Sequence, residues 1–262
     1  MTKCSKWRRS IKINAMRIGD KVGDILMNYS AKINGIDVSV AYAQTMVDEV
    51  FVPLLKRLAQ LHTTKQRRVL VMLAAPPGTG KSTLVSFLEH LAKEVIPEKS
   101  VQAVGMDGFH FNQAFLLNHT IERNGKEIPF ANIKGAPETF DLESLREKIK
   151  EVTAGSPCKW PHYDRQRHDP VEDAITVDAD IVLLEGNYLL LDADGWRELS
   201  QYADYTIALK ADAQILRRRL IERKMKTGMK QEDAERFVDF SDMPNVRLCL
   251  EKTKKADLVL CV

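Results

Sequence analysis

The sequence predicts an α/β fold built on a five-stranded parallel sheet, and three observations predict it. The first is Val69–Leu73, five large apolar residues in succession, followed by Gly78-Thr79-Gly80-Lys81-Ser82 and then by Leu84, Val85, Phe87, Leu88 and Leu91. An apolar run of that length suits a strand covered on both faces, and the spacing after the loop is that of a helix. The second is recurrence. Short apolar runs return at Val101–Met106, Ile181–Leu184, Tyr205–Leu209 and Leu258–Val262, with helical patterns between them. Strands alternating with helices pair as parallel neighbours in a doubly wound sheet. The third is size: 262 residues, 44% hydrophobic and 29% charged, fit one large domain or a domain with an appendage.

Composition also narrows the function classes. A net charge of +3 is too mild to argue for nucleic acid. Cys4, Cys158, Cys249 and Cys261 form no C-x-x-C pair and no disulfide or zinc spacing, as suits a reducing compartment. No apolar stretch reaches the ~18 residues of a membrane span. The basic N-terminus (Lys3, Lys6, Arg8, Arg9) lacks the apolar core of a secretory signal. A cytoplasmic protein is expected, with no nucleic-acid or membrane partner; a homodimer is one assembly the sequence permits.

In chain order, residues 1–24 show weak periodicity, and Lys6-Trp7-Arg8-Arg9 reads as a solvated terminus. Ala31–Val38 alternates apolar and polar residues around Asn34-Gly35, the pair suited to a type I′ hairpin turn. Val47, Phe51, Leu54, Leu58 and Leu61 then form one helical stripe, with Pro53 kinking the helix or marking its restart. Residues 1–65 therefore read as a hairpin–helix appendage and 66–262 as the main domain, joined by a polar connector, Lys65–Arg68.

The loop after the first strand carries the chemistry. Glycines let several backbone N–H groups point at one phosphate, and the helix behind adds its positive end. Pro77, Gly78, Thr79, Gly80, Lys81, Ser82 and Thr83 are thus expected to cradle a nucleotide, with Lys81 as a point charge and the Ser82 hydroxyl turned to Mg²⁺. The usual pattern opens with Gly, and Ala75 stands there instead, so the start of this loop must tolerate a Cβ.

Asp107 follows the second strand and is the candidate base that orients an acceptor hydroxyl. Glu185 ends the third strand, where a carboxylate can hold a metal-bound water. After the fourth strand, Arg219 and Arg223 share one helix face and can neutralise transferring charge, while Arg217 and Arg218 suit a solvated face. Asn118–Ile133 reads as a loop or short helix over the site. Tyr163, Asp164, Arg165, His168 and Asp169 are dense enough in hydrogen-bonding groups to recognise a polyhydroxy or carboxylate substrate, and also compatible with ion pairs across a hairpin.

Residues 34–262 resemble P-loop small-molecule kinases of the uridine kinase, pantothenate kinase and phosphoribulokinase group. The resemblance rests on APPGTGKST (75–83), MDGFH (106–110), KGAPETFD (134–141), YDRQRHDP (163–170), LLEGNYLL (183–190) and RRRLIERKMKTG (217–228). MDGFH, YDRxxHDP, EGNYLL and DMPN (242–245) are most similar to the branch containing a kinase associated with bacterial fructose uptake. The resemblance implies a three-layer P-loop NTPase sandwich with a lid helix, ATP and Mg²⁺, and transfer to a hydroxyl of a small molecule. It implies that the first and third strands are adjacent, so that Lys81 and Glu185 meet. It also implies Asp107 as catalytic aspartate, Arg219 and Arg223 as lid arginines, His110 in the substrate region and Asn245 bordering the adenine. The leading expectation is a metabolite kinase for a sugar (fructose-like) or nucleoside. The alternatives are a pantothenate kinase-like activity, or an ATP-binding or hydrolysing regulatory protein; a GTPase switch lacks its NKxD here.

Overall fold

The apolar run at Val69 becomes the central strand of a five-stranded parallel sheet in a computed structural model that describes residues 25–33, 35–123 and 125–262. The basic stretch Lys6–Arg9 lies outside the described residues. The chain begins with an antiparallel hairpin, β1 (Leu26–Ile33) and β2 (Ile36–Ala43), then α1 (Gln44–Met46) and α2 (Val52–Lys65). Next come β3 (Val69–Ala74), α3 (Lys81–Val95), β4 (Val101–Gly105), α4 (Gln113–Asn118) and a small hairpin, β5 (Thr120–Arg123) with β6 (Lys126–Pro129). Helix α5 (Leu142–Ala154) leads to a longer hairpin, β7 (Cys158–Asp164) with β8 (Asp169–Val177), and then β9 (Ile181–Gly186) and β10 (Tyr205–Lys210). Helices α6 (Ala213–Lys226), α7 (Gln231–Phe237) and α8 (Met243–Lys252) precede the last strand, β11 (Leu258–Cys261).

The sheet order is β11-β10-β3-β9-β4, parallel throughout. The adjacency of β3 and β9 is the one the family resemblance implies. Both strands are buried on both faces, and alternate residues feed separate cores. Val69, Val71 and Leu73 join Leu183, α2 and α3 on one side; Leu70, Met72 and Leu184 join α5, Trp160 and Tyr188 on the other. A third apolar cluster, with Leu216, Leu220, Val238, Met243 and Val246, binds α6, α7 and α8 into one unit.

Pro53 marks a restart: it falls in the first turn of α2, where a missing N–H costs little, and a π-helical turn over Val47–Phe51 leads into it. The stripe of α2 is deeply buried, with Phe51, Leu55 and Leu58 fully enclosed beside Phe87 of α3.

The structure corrects two readings. Arg68, in the connector between α2 and β3, is not a surface residue. It is 6% exposed and donates to the carbonyls of Val152, Ser156 and Ala179, satisfying the end of α5 and the turn before β9. The segment Asn118–Ile133 holds β5 and β6, with only a short 3₁₀ turn at Phe130–Ile133.

Candidate active site

At the C-terminal edge of the sheet the register brings three elements together. Glu185 of β9 lies beside Leu73 of β3 and Gly105 of β4. The phosphate loop leaves β3, and Asp107 follows β4 in a 3₁₀ turn over Met106–Phe109. That turn is held closely: the Trp160 indole donates to the Gly105 carbonyl at 2.9 Å, and any Cβ at Gly108 would collide with the Pro161 backbone.

The loop itself has the geometry of a phosphate cradle. Gly80 is left-handed (φ 87°) and directly precedes α3, so the first turn of that helix presents its free N–H groups. Ala75 is absent from the left-handed residues, is buried, and donates its N–H to the Gly186 carbonyl at 3.2 Å. A Cβ at the start of the loop is therefore tolerated. Thr79 is turned inward and donates to the Pro76 carbonyl. Leu220 of α6 packs on Gly78, which sets the lid helix directly over the loop.

Charge is concentrated at this point. The Ser82 hydroxyl donates to Glu185 Oε1 at 2.6 Å, and Lys81 Nζ stands 4.0 Å from Oε2. Oε2 is buried with no hydrogen-bond partner. Burial raises the Glu185 pKa, and the nearby Asp107 charge raises it further against Lys81 and Ser82. Burial would raise Asp107 as well, but Lys81, His110, Arg165 and Arg223 together outweigh it and hold its pKa below the ordinary value. The ionised form of Asp107 is thereby favoured.

A hydroxyl and a carboxylate with an orphaned oxygen are a donor set that suits Mg²⁺, which takes few protein ligands and completes its shell with phosphate oxygens and water. Among the described residues no three His, Cys, Asp or Glu gather as a self-sufficient metal cage.

A family model described as "Phosphoribulokinase / Uridine kinase family" matches residues 70–262. The chain belongs to that family. As a phosphoribulokinase/uridine kinase relative it is a P-loop kinase by descent, and ATP use goes with membership. It is 44% identical over 235 residues to "Uncharacterized protein YggC" of Escherichia coli (strain K12), covering 89% of this chain and 95% of that one. It is 31% identical over 202 residues to "Putative uridine kinase C227.14" of Schizosaccharomyces pombe, covering 74% and 83%. A crystal structure of a "putative fructose transport system kinase" from Silicibacter sp. TM1040 superposes with TM-score 0.71 at 30% identity, over 80% of this chain and 98% of that one.

The other residues singled out by this family's motifs stand at varying distances from the centre. Arg223 is exposed on α6; desolvation lowers its pKa, and the Asp242 charge opposes that. Arg219 is exposed on the same helix. Arg217 is paired with Asp239 at 2.7 Å, away from the site, and Arg218 faces Glu222. His110 is half-buried, its ring stacked 3.8 Å from Phe140 and edge-on to Tyr163, and burial lowers its pKa. Tyr163 lies near the end of β7 beside Lys134; burial, then the Asp169 charge, pushes its hydroxyl up to about 12.

Asp164 instead holds its own turn, accepting from the N–H groups of Gln166 and Arg167. Those bonds lower its pKa. His168 is exposed at φ 57°, and its carbonyl accepts from Lys134 Nζ. Arg165 is exposed at the hairpin tip, near enough to bear on Asp107. Asn245 is buried in the α6–α8 unit and donates to the Ser241 carbonyl.

Two residues that open quoted motifs but were given no role also stand here. Lys134 bridges Gln113, the His168 carbonyl and the Tyr163 ring, and its pKa is lowered by burial. Asp242 is half-buried, with Oδ2 buried and unpartnered; desolvation raises its pKa against the charges of Arg223 and Lys224. Nothing local in the sequence separates a buried Asp or Lys from the exposed ones around it. Among the described residues no helix is long and apolar enough to cross a membrane.

Proposed function

We propose that this protein is a Mg²⁺-dependent kinase that transfers the γ-phosphoryl group of ATP to a hydroxyl of a small metabolite in the cytoplasm, with a sugar (fructose-like) or a nucleoside as acceptor. The observation that carries the reading is Asp107. It is a carboxylate in the turn that follows β4 and lines one cavity with Ser82 and Glu185. Such a group has a use where a hydroxyl must lose a proton while phosphoryl charge is neutralised beside it.

In this reading the loop from Pro77 to Thr83 holds the nucleotide phosphates through backbone N–H groups and Lys81. Ser82 and Glu185 would hold Mg²⁺, which would supply positive charge to offset that of the phosphates. Asp107 orients the acceptor hydroxyl and takes its proton. The acceptor oxygen forms the new P–O bond, the bond to the β-phosphate oxygen breaks, and ADP leaves. Arg223, with Arg219 behind it, faces the charge passing between them. Tyr163, Arg165, His110 and His168 supply the surroundings of the acceptor, and Asn245 borders the adenine side.

The test is ATP consumption by purified protein across sugars, nucleosides and pantothenate, with Lys81→Ala as the blank. Acceptor-dependent ADP release that the blank lacks is the expected result. ATP binding without transfer to any acceptor would overturn it.

A further inference from the structure

β4 is an edge strand of the sheet, and alternate residues on a strand turn their backbone groups to the same side. On its open side the Ala103 N–H donates to Glu89 of α3 at 3.2 Å, and the Gly105 carbonyl accepts from the Trp160 indole at 2.9 Å. Trp160 belongs to β7, outside the sheet, and is fully buried. Its ring meets that of Phe109 edge-on, with centroids 4.9 Å apart. The register of β7 on β8 shifts between Trp160 and His162, so Pro161, which has no N–H to give, falls between the two paired stretches. Beside that irregularity the Pro161 backbone presses on Gly108, where a Cβ would lie 2.4 Å from the Pro161 oxygen. On the far side Met106 fills the space that a Cβ on Gly186 would need. Each residue around Asp107 therefore has its own restraint: Gly105 a hydrogen bond, Met106 the end of β9, Gly108 the Pro161 backbone and Phe109 the Trp160 ring.

We propose that Trp160 is a positioning residue for Asp107: its indole N–H on the Gly105 carbonyl, with Phe109 against its ring, fixes where the carboxylate meets the acceptor hydroxyl. The proposal rests on the kinase reading and goes further than it, because the strand that carries Tyr163 then also aims the group that takes the proton. A phenyl ring in place of the indole fills much of the same space but leaves the Gly105 carbonyl without its donor. Displacing a reacting group by about 1 Å can cost roughly 10²-fold in rate. A tryptophan that only filled the core would lower stability and leave the geometry of the folded molecules unchanged.

The experiment is a double-mutant cycle of Trp160→Phe with Asp107→Asn, read by ATP consumption with fructose, uridine and pantothenate, alongside melting temperature. Gln102→Ala is the control. Gln102 ties the far end of the same hairpin to β4, donating to the Thr176 carbonyl at 2.9 Å and accepting from the Asp178 N–H at 3.3 Å. Trp160→Phe should lower kcat by roughly 10–10²-fold and keep the KM for ATP within about twofold. In the Asp107→Asn background the same substitution should change the remaining turnover by less than about threefold, since residues that act as a unit are not additive. Gln102→Ala should lower the melting temperature and keep kcat within about twofold. Gly108→Ala, which keeps the indole and forces the turn off Pro161, should repeat the pattern of Trp160→Phe, and it decides the question if that variant does not fold. An unchanged kcat, an equal fold-loss in both backgrounds, or the same loss in Gln102→Ala would overturn the positioning role and leave the kinase reading standing. An Asp107→Asn protein as fast as wild type, or a wild type that turns over none of the three acceptors, would remove the kinase reading and this inference with it.

Discussion

The strand ends beneath the phosphate loop and the tip of the β7–β8 hairpin both carry dense charge, and they use it differently. At the strand ends the groups face one another: Ser82 donates to Glu185, Lys81 stands by, and Asp107 is held ionised by surrounding cations. At the hairpin tip Asp164 accepts from its own turn and Arg167 lies 3.6 Å from it in the open. The first arrangement leaves a buried oxygen unsatisfied and charges crowded, as at a site that takes a ligand. The second is complete without one. Density of polar residues in sequence is therefore a weaker sign of a site than convergence from separate strands.

The sharpest way to break that contrast is Lys81→Ala. Transfer should fall by roughly 10³–10⁵-fold, the span for a cation that neutralises phosphoryl charge. Circular dichroism should be unchanged, because Lys81 is not a core residue. Near-normal turnover would mean that the converging charges are structural.

Asp107→Asn comes next, with a loss of roughly 10²–10⁴-fold in transfer. ATP-analogue affinity should change little, since the loop amides and Lys81 remain. Loss of nucleotide binding with normal turnover at saturating ATP would move Asp107 from the acceptor to the metal or nucleotide.

Arg223→Ala against Arg217→Ala sharpens the comparison within one helix. The first should reduce kcat by about 10²-fold, as for other oriented donors at developing charge. The second breaks only the partly exposed pair with Asp239 and should leave kcat within about twofold. Equal losses would mean that α6 acts through its packing and not through one arginine.

How much of this was legible depended on whether position follows from local pattern. Val69–Leu73, Ile181–Leu184 and the glycine loop were readable because a strand buried on both faces needs a continuous apolar run. Glu185 was readable as the first polar residue after such a run, and Asp107 as the carboxylate that ends the Val101–Met106 stretch. The β1–β2 hairpin followed from alternation around Asn34-Gly35. The same Asn-Gly pair at 124–125 joins β5 to β6, but the flanking residues alternate too briefly to declare strands. Arg68 was misread because its partners are carbonyls about 84 to 111 residues away, to which no local spacing points. Asp242 was given no role because its buried, unpartnered oxygen appears only in the folded chain.

The smallest expected effect concerns His110, which lies between the two regions. It follows Asp107 closely in sequence and packs against Tyr163 at the base of the hairpin. Its ring is stacked on Phe140, with Nδ1 3.4 Å from the Thr139 carbonyl. Burial lowers its pKa, and the Asp107 charge only partly opposes that. The folded protein therefore binds a proton here less readily than the unfolded chain, whose histidine titrates near ~6.5. Stability from this group is full above that pH. It is lost as pH falls from about 6.5 through the lower folded value, with a slope of at most about 1.4 kcal/mol per pH unit. Urea midpoints measured from pH 7.5 down to pH 5 should fall more steeply in wild type than in His110→Phe, which keeps the stacking and has no proton to bind. Parallel slopes for the two proteins would show that His110 is as open to protons in the folded state as in the unfolded one, and that the aromatic floor joining Asp107 to the hairpin is wetter than its packing indicates.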